Sequence, residues 1–264
     1  MFKYIFLGFV QGITEVLPIS SSGHHHIVSN IFNINDNSIT LSVMLHFASF
    51  FAVIIYLRKE LKDLIIGFVL YFKDRNKYIN EFKLVFYLCV STIVLVIFTV
   101  CLKLCDYNSS PIWVVGICLV FNGIMLKVFG RLNGTRTLDT FRVKDAIIVG
   151  LFQSIGALPG ISRSGFCICG CKVLNINKED SKKYSFLLFI PAILGSLVLE
   201  FKNLSSMVIS NNFHLFAISF ITSFVTTYFA FEFLNKIIKK GKITNFSIYC
   251  MILGVVVILY SIIS

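Results

Sequence analysis

The chain has 264 residues, of which 56% are hydrophobic, only 14% are charged and 28 are Phe. Its mean hydropathy of +0.84 means more apolar surface than a soluble globule of this size can hide. Soluble, disordered, collagenous and coiled-coil classes are thereby excluded, and the continuous apolar runs lack the period-two alternation of an outer-membrane barrel.

Lys and Arg number 24 against 13 Asp and Glu, a net charge of +11. The basic residues lie mostly between apolar runs, as they do in cytoplasmic loops of membrane proteins, so no nucleic-acid partner is expected.

In chain order, residues 2–19 are the first apolar stretch. Lys3 and the run from Tyr4 to Val10 imitate a signal peptide, but the run is short, the acid Glu15 follows, and no small-x-small cleavage site stands out. The stretch is read as part of the mature chain, interrupted by Pro18 and the run Ser20–Ser21–Ser22–Gly23. Three membrane spans are expected at about 39–57, 82–104 and 111–129. A second interrupted stretch follows at 145–161, then three more spans at about 184–200, 213–235 and 246–263. Each of the six is long enough to cross a hydrocarbon layer about 30 Å thick as a helix.

The interval 58–83 holds seven Lys or Arg, and 130–144, 166–183 and 236–245 hold four each. The intervals 24–38 and 105–110 hold none, and 201–212 holds only Lys202. If both interrupted stretches return to their own side as hairpins, basic and neutral loops alternate. The basic loops then face the cytoplasm and both termini lie outside. Of the eight Cys, Cys89, Cys101, Cys118 and Cys250 lie within apolar runs and read as small packing residues. Cys167, Cys169 and Cys171 cluster, but their spacing is not that of zinc ligands.

An internal repeat organises the chain. Displaced by 142 residues, GFVQGITEVLPISSSG (8–23) overlies GLFQSIGALPGISRSG (150–165) with seven identities in sixteen, among them Gln11 with Gln153, Ser20 with Ser162, Ser22 with Ser164 and Gly23 with Gly165. Each copy precedes three spans. The expected fold is therefore an all-α integral membrane protein, one domain over 1–264, with repeats at about 1–130 and 143–264. Each half is a re-entrant helix hairpin plus three transmembrane helices. Three crossings is an odd number, so the second copy enters from the opposite side, giving an inverted-topology repeat whose two broken helices converge on one polar site.

The first loop offers Ser20, Ser21, Ser22, Gly23 and His24; the second offers Gly160, Ser162, Arg163, Ser164 and Gly165. Hydroxyls, backbone N–H groups and helix N-termini make an anion cradle. Arg163, the only Lys or Arg in these loops, would bind phosphate oxygens there. Beside an anion site, Glu15 reads as a divalent-cation ligand or a proton acceptor, and Gln11, one helical turn before it, can also ligate a hard cation. Ser21 and His24 form a candidate nucleophile and base. His25 and His26 read as interface residues, and Asn122 as structural. His46 either lines the site or packs.

The run QGITEVLPISSSGH (Gln11 to His24), with LPGISRSG (Leu158 to Gly165), resembles the undecaprenyl-diphosphate phosphatase family, membrane phosphatases linked to bacitracin resistance. The later stretch SFLLFIPA (Ser185 to Ala192) and the last span are similar as well. The resemblance implies hydrolysis of a prenyl diphosphate lipid to the monophosphate carrier, a divalent metal (Mg2+ or Ca2+), and six spans with two re-entrant hairpins. It also implies a place in the bacterial inner membrane, with membrane lipids around it and the active site open to the outer face; a homodimer is allowed for. The family's metal motif falls on Gln11 and Glu15, its catalytic Ser and His on Ser21 and His24, and its phosphate-binding Arg on Arg163 with Ser162 and Ser164 beside it.

Four positions depart from the pattern. Gln11 stands at the first acidic position, Cys167 where Thr is common, Cys250 where Arg often follows Tyr249, and His46 where Gln is frequent. A lipid-phosphate transporter or flippase is the rival reading, since inverted repeats with broken helices also build transporters.

Overall fold

A computed structural model describes residues 1–31, 38–104, 111–204 and 213–263. Among the described residues the chain is helical: α1 (Phe2–Val16), α2 (Ser21–Ile31), α3 (Ser38–Tyr56), α4 (Arg58–Tyr71), α5 (Ile79–Leu104), α6 (Ile112–Phe129), α7 (Val143–Ile155), α8 (Arg163–Val173), α9 (Lys178–Leu204), α10 (Phe213–Lys239) and α11 (Asn245–Ile263). Five of these (α5, α6, α9, α10 and α11) contain segments long and apolar enough to cross a membrane. The pair α3–α4, bent by 73° about Leu57, passes the same test as one unit. The chain is a multi-pass membrane protein. Ile93, Ile97, Ile117, Phe121, Ile252 and Val256 stand exposed on α5, α6 and α11, an apolar belt that only lipid or another apolar partner would cover.

The six expected spans coincide with α3, α5, α6, α9, α10 and α11. The interval after α3, read as a basic loop, is instead helix α4. Its Leu64 is buried with Leu84 and Leu88 of α5, and Phe68 and Tyr71 stack on Phe82 at 5.7 and 4.1 Å between ring centroids. The basic residues of α4 occupy its other positions, and their density hides the amphipathic pattern in the sequence. Helix α9 begins earlier than expected because Asn177 caps it: the Asp180 N–H donates to Asn177 Oδ1 at 2.9 Å.

Neither α1, α2, α7 nor α8 reaches the length of a span. Fifteen residues of α1 rise only about 22 Å. The break after α1 is the turn Leu17–Ser20, and the break after α7 is the longer turn 156–162. Each contains one residue in the left-handed region, Ser20 at φ 72° and Gly160 at φ 92°. For Ser20 that conformation costs about 1 kcal/mol. It places the Ser20 carbonyl and hydroxyl where the next helix uses both.

Small residues let these helices approach closely, the usual basis of helix association in lipid. Helix α1 lies on α10, where a Cβ added to Gly8 would stand 2.5 Å from the Ser219 carbonyl oxygen. Helix α7 lies on α5, where one added to Gly150 would stand 2.9 Å from that of Ser91. Gly8 and Gly150 are equivalent in the repeat, and their partners stand on the second span after each broken hairpin. Helices α6 and α11 cross with Gly116 and Gly254 each against the other's carbonyl.

Candidate active site

Both hairpin turns end in the same local device. The Ser20 hydroxyl accepts from the Gly23 N–H at 3.1 Å, and the Ser162 hydroxyl accepts from the Gly165 N–H at 3.2 Å. Each is a serine at a helix start satisfying a donor that the first turn leaves open. The hydroxyl pairs Ser20–Ser22 (3.3 Å) and Ser162–Ser164 (3.1 Å) repeat as well.

The two turns touch. A Cβ on Gly23 would lie 3.0 Å from Gly160 Cα, and one on Gly165 would lie 2.9 Å from the Pro18 Cβ. The 142-residue displacement carries Gly23 to Gly165 and Pro18 to Gly160, so this is one contact made twice, each loop presenting to the other what it receives. Ser164 adds a hydrogen bond to the Val16 carbonyl at 3.0 Å.

A cavity of about 220 Å³ opens between the turns. Thr14, Glu15, Ser20, Ser21 and Ser22 line it from the first, and Gly156, Ala157, Ile161, Ser162 and Arg163 from the second. His46, Thr99, Phe189 and Ser196 complete the wall. The displacement pairs Thr14 with Gly156, Glu15 with Ala157, Ser20 with Ser162 and Ser21 with Arg163. Gly23, Gly160, Ser164 and Gly165, read as substrate contacts, lie behind this wall and serve the packing of loop on loop.

Glu15 is buried at the centre. Its Oε1 lies 3.4 Å from an Arg163 guanidinium nitrogen and 3.5 Å from His46 Nδ1. Its Oε2 accepts from Gln11 Nε2 at 3.0 Å, and Ser21 stands on the same cavity wall. Gln11 reaches His46 Nδ1 at 3.1 Å, and its carbonyl oxygen pairs with His25 Nε2. His25 therefore belongs to this polar network and not to the membrane edge.

His24 is placed differently from its expected role. Its Nδ1 lies 2.7 Å from the Ser20 carbonyl, which can only accept, so Nδ1 carries the proton. In the neutral ring Nε2 then accepts from the Tyr249 hydroxyl, also at 2.7 Å. Both nitrogens are occupied, and the carboxylate that shares the cavity wall with Ser21 is Glu15. The two rings lie parallel with centroids 5.7 Å apart. Sequence spacing pairs His24 with Ser21; the helix start turns it toward α11 instead. One neutral hydrogen bond is worth about 1 kcal/mol, so Tyr249→Phe is expected to destabilise the detergent-solubilised protein by about that much, measured by unfolding followed by circular dichroism.

The remaining departures are packing features. Cys167 is buried with Cys171 in the α5–α7–α8–α9 core, and Cys250 is buried with its Sγ 3.3 Å from Asn122 Nδ2. The hydroxyls of Thr99 and Ser196, which line the cavity, carry no sequence signal, since both stand within otherwise apolar spans.

The residues fit a hard divalent cation of a particular kind. The donors on the cavity are one carboxylate and several hydroxyls, all oxygen, while the Gln11 carbonyl oxygen is turned to His25. Among the described residues no three His, Cys, Asp or Glu side chains converge on one metal position. An ion here would be shared with substrate phosphates and not enclosed by protein.

Two broken helices face one another across a small cavity with an arginine and a buried carboxylate in its wall, within a multi-pass helical membrane protein. The chain belongs to the bacitracin resistance protein BacA family, whose profile matches residues 4–256. It is 35% identical to undecaprenyl-diphosphatase 1 of Shouchella clausii over 98% of this chain and 96% of that protein. It is 34% identical to the undecaprenyl-diphosphatase of Oceanobacillus iheyensis over 97% and 95%, and 35% identical to that of Thermosipho melanesiensis over 95% and 96%.

Proposed function

We propose that this chain hydrolyses undecaprenyl diphosphate to undecaprenyl phosphate and inorganic phosphate, recycling the lipid carrier of cell-envelope synthesis and so conferring bacitracin resistance. The observation that carries the reading is the meeting of Ser21, Glu15 and Arg163 on one cavity between the two broken helices.

The terminal phosphate enters the cavity, and the prenyl chain runs along the apolar surfaces between spans. Arg163 pairs with the equatorial oxygens. Ser21, or a water in its place, attacks the terminal phosphorus. Glu15, on the same cavity wall, takes the proton, and the bond to the bridging oxygen breaks to release the lipid monophosphate; where Ser21 is the nucleophile a water then hydrolyses the phospho-serine to inorganic phosphate, and where water attacks directly inorganic phosphate forms in that step. Glu15 is the residue that would hold Mg2+ or Ca2+, joined by Gln11 once its carbonyl turns from His25; when bound, the ion neutralises charge on the phosphate oxygens. Ser20, Ser22 and Ser162 supply further hydroxyls to the anion. The hydrolase reading is favoured over a transporter because a nucleophile and a proton acceptor stand together, which translocation does not need.

The same reading places the chain in the bacterial inner membrane as an inverted-topology repeat, with basic loops in the cytoplasm, both termini outside and the cavity open to the outer face. The reciprocal contacts of the two turns support the two-fold relation, and the loop charges support the orientation.

The test is phosphate release from a long-chain prenyl diphosphate by detergent-solubilised protein. EDTA is expected to lower the rate more than tenfold, and added Mg2+ or Ca2+ to restore it. Lipid movement across a vesicle wall without phosphate release would overturn the reading.

A further inference from the structure

Asn122 lies in the middle of α6, a helix otherwise apolar enough to span the membrane, and it is fully buried. A buried carboxamide in such a place must find partners for one acceptor and two donors. It finds them in both hairpin turns. Its Oδ1 accepts from the Ser162 N–H at 3.1 Å, and its Nδ2 donates to the Pro18 carbonyl at 3.0 Å and faces Cys250 Sγ at 3.3 Å.

These partners are not arbitrary backbone groups. Ser162 is the residue just before α8, so its N–H has no acceptor within the helix, and the Pro18 carbonyl lies in the turn between α1 and α2. Each is an orphan created by breaking a helix inside the membrane, where water is not at hand. One side chain satisfies both and fixes the separation of the two turns. The residue after Ser162 is Arg163; three residues after Pro18 is Ser21. Asn122 does not line the cavity. A flipped amide would face N–H to N–H at Ser162 and oxygen to oxygen at Pro18, so the orientation is dictated.

We infer that Asn122 is a positioning residue for phosphoryl transfer, a brace that holds Arg163 of one turn in register with Ser21 and Glu15 of the other. The inference rests on the proposed roles of those three residues.

The test is a double-mutant cycle on kcat, using phosphate release from the prenyl diphosphate and counting only folded protein recovered from detergent gel filtration. Asn122→Leu keeps the volume and removes the hydrogen bonds. It is expected to lower kcat by on the order of 30- to 100-fold, the scale for small misplacement of reacting groups, with KM changed less than threefold. In an Arg163→Ala background the same change is expected to cost less than threefold more, because the group being positioned is gone. A purely structural role would instead multiply through both backgrounds. Asn122→Asp, whose protonated form keeps an acceptor and a donor in the same places, is expected to recover most of the lost rate as pH is lowered from 8 to 6, relative to the unsubstituted protein at each pH. It also serves in the cycle should the Leu variant fail to fold.

The inference is overturned if folded Asn122→Leu keeps kcat within threefold, or if the losses multiply. A wild-type rate in Arg163→Ala alone would overturn the proposed roles on which it rests, a distinct result.

Discussion

Arg163→Ala is expected to lower kcat for lipid diphosphate hydrolysis by on the order of 10³-fold, the scale on which a cation at a transferring phosphoryl group acts. Among the described residues Arg163 is the only Lys or Arg lining the cavity, so no other guanidinium or ammonium group is at hand to take its place. The helix it begins would persist, because α8 is capped by the Ser162 hydroxyl and not by the arginine. Glu15 would lose one partner yet keep Gln11 and His46. The variant should therefore insert and retain its helical circular dichroism while releasing almost no phosphate. Arg163→Lys should fall between, since an ammonium group supplies charge without the two-pronged geometry. A near-normal rate in the alanine variant would mean that phosphate binds elsewhere.

Ser21→Ala is expected to be nearly as severe, a loss on the order of 10³-fold in kcat with KM within a few-fold. Ser21 is the first residue of α2, but the cap of that helix is Ser20, so alanine removes the hydroxyl with little effect on the turn. What disappears is the hydroxyl that shares the cavity wall with Glu15. Trapping of phosphate on the chain after brief exposure to radiolabelled substrate, followed by acid quench, reports on the same hydroxyl. A loss of less than tenfold would assign the attack to water, with Glu15 as its base. His24→Ala should be milder than Ser21→Ala, because His24 is committed to Ser20 and Tyr249.

The spans were legible in the sequence because burial in lipid imposes length and apolarity on contiguous residues, and the two broken stretches because Pro, Gly and Ser interrupt that pattern at matching places. The cavity's principal groups, Glu15, Ser21 and Arg163, were legible because polar residues are costly at that depth. What stayed hidden depends on which element faces which. His46, His25 and Gln11 meet through packing of α1, α2 and α3. Tyr249 reaches His24 from 225 positions away, and Asn122 is distinguished from a packing residue only by its two partners. Helix α4 was obscured for a local reason: its charges outnumber the few apolar residues that bind it to α5.

The pairing of Ser21 with Arg163 across the repeat bears on stoichiometry. Two copies of a motif would ordinarily furnish two pockets. Here both turns converge on a shared wall, and the corresponding place in each turn has taken a different chemical part, hydroxyl in one and guanidinium in the other. The duplicated motif thus yields a single half-and-half receptor, and each polypeptide should bind one diphosphate headgroup at a time.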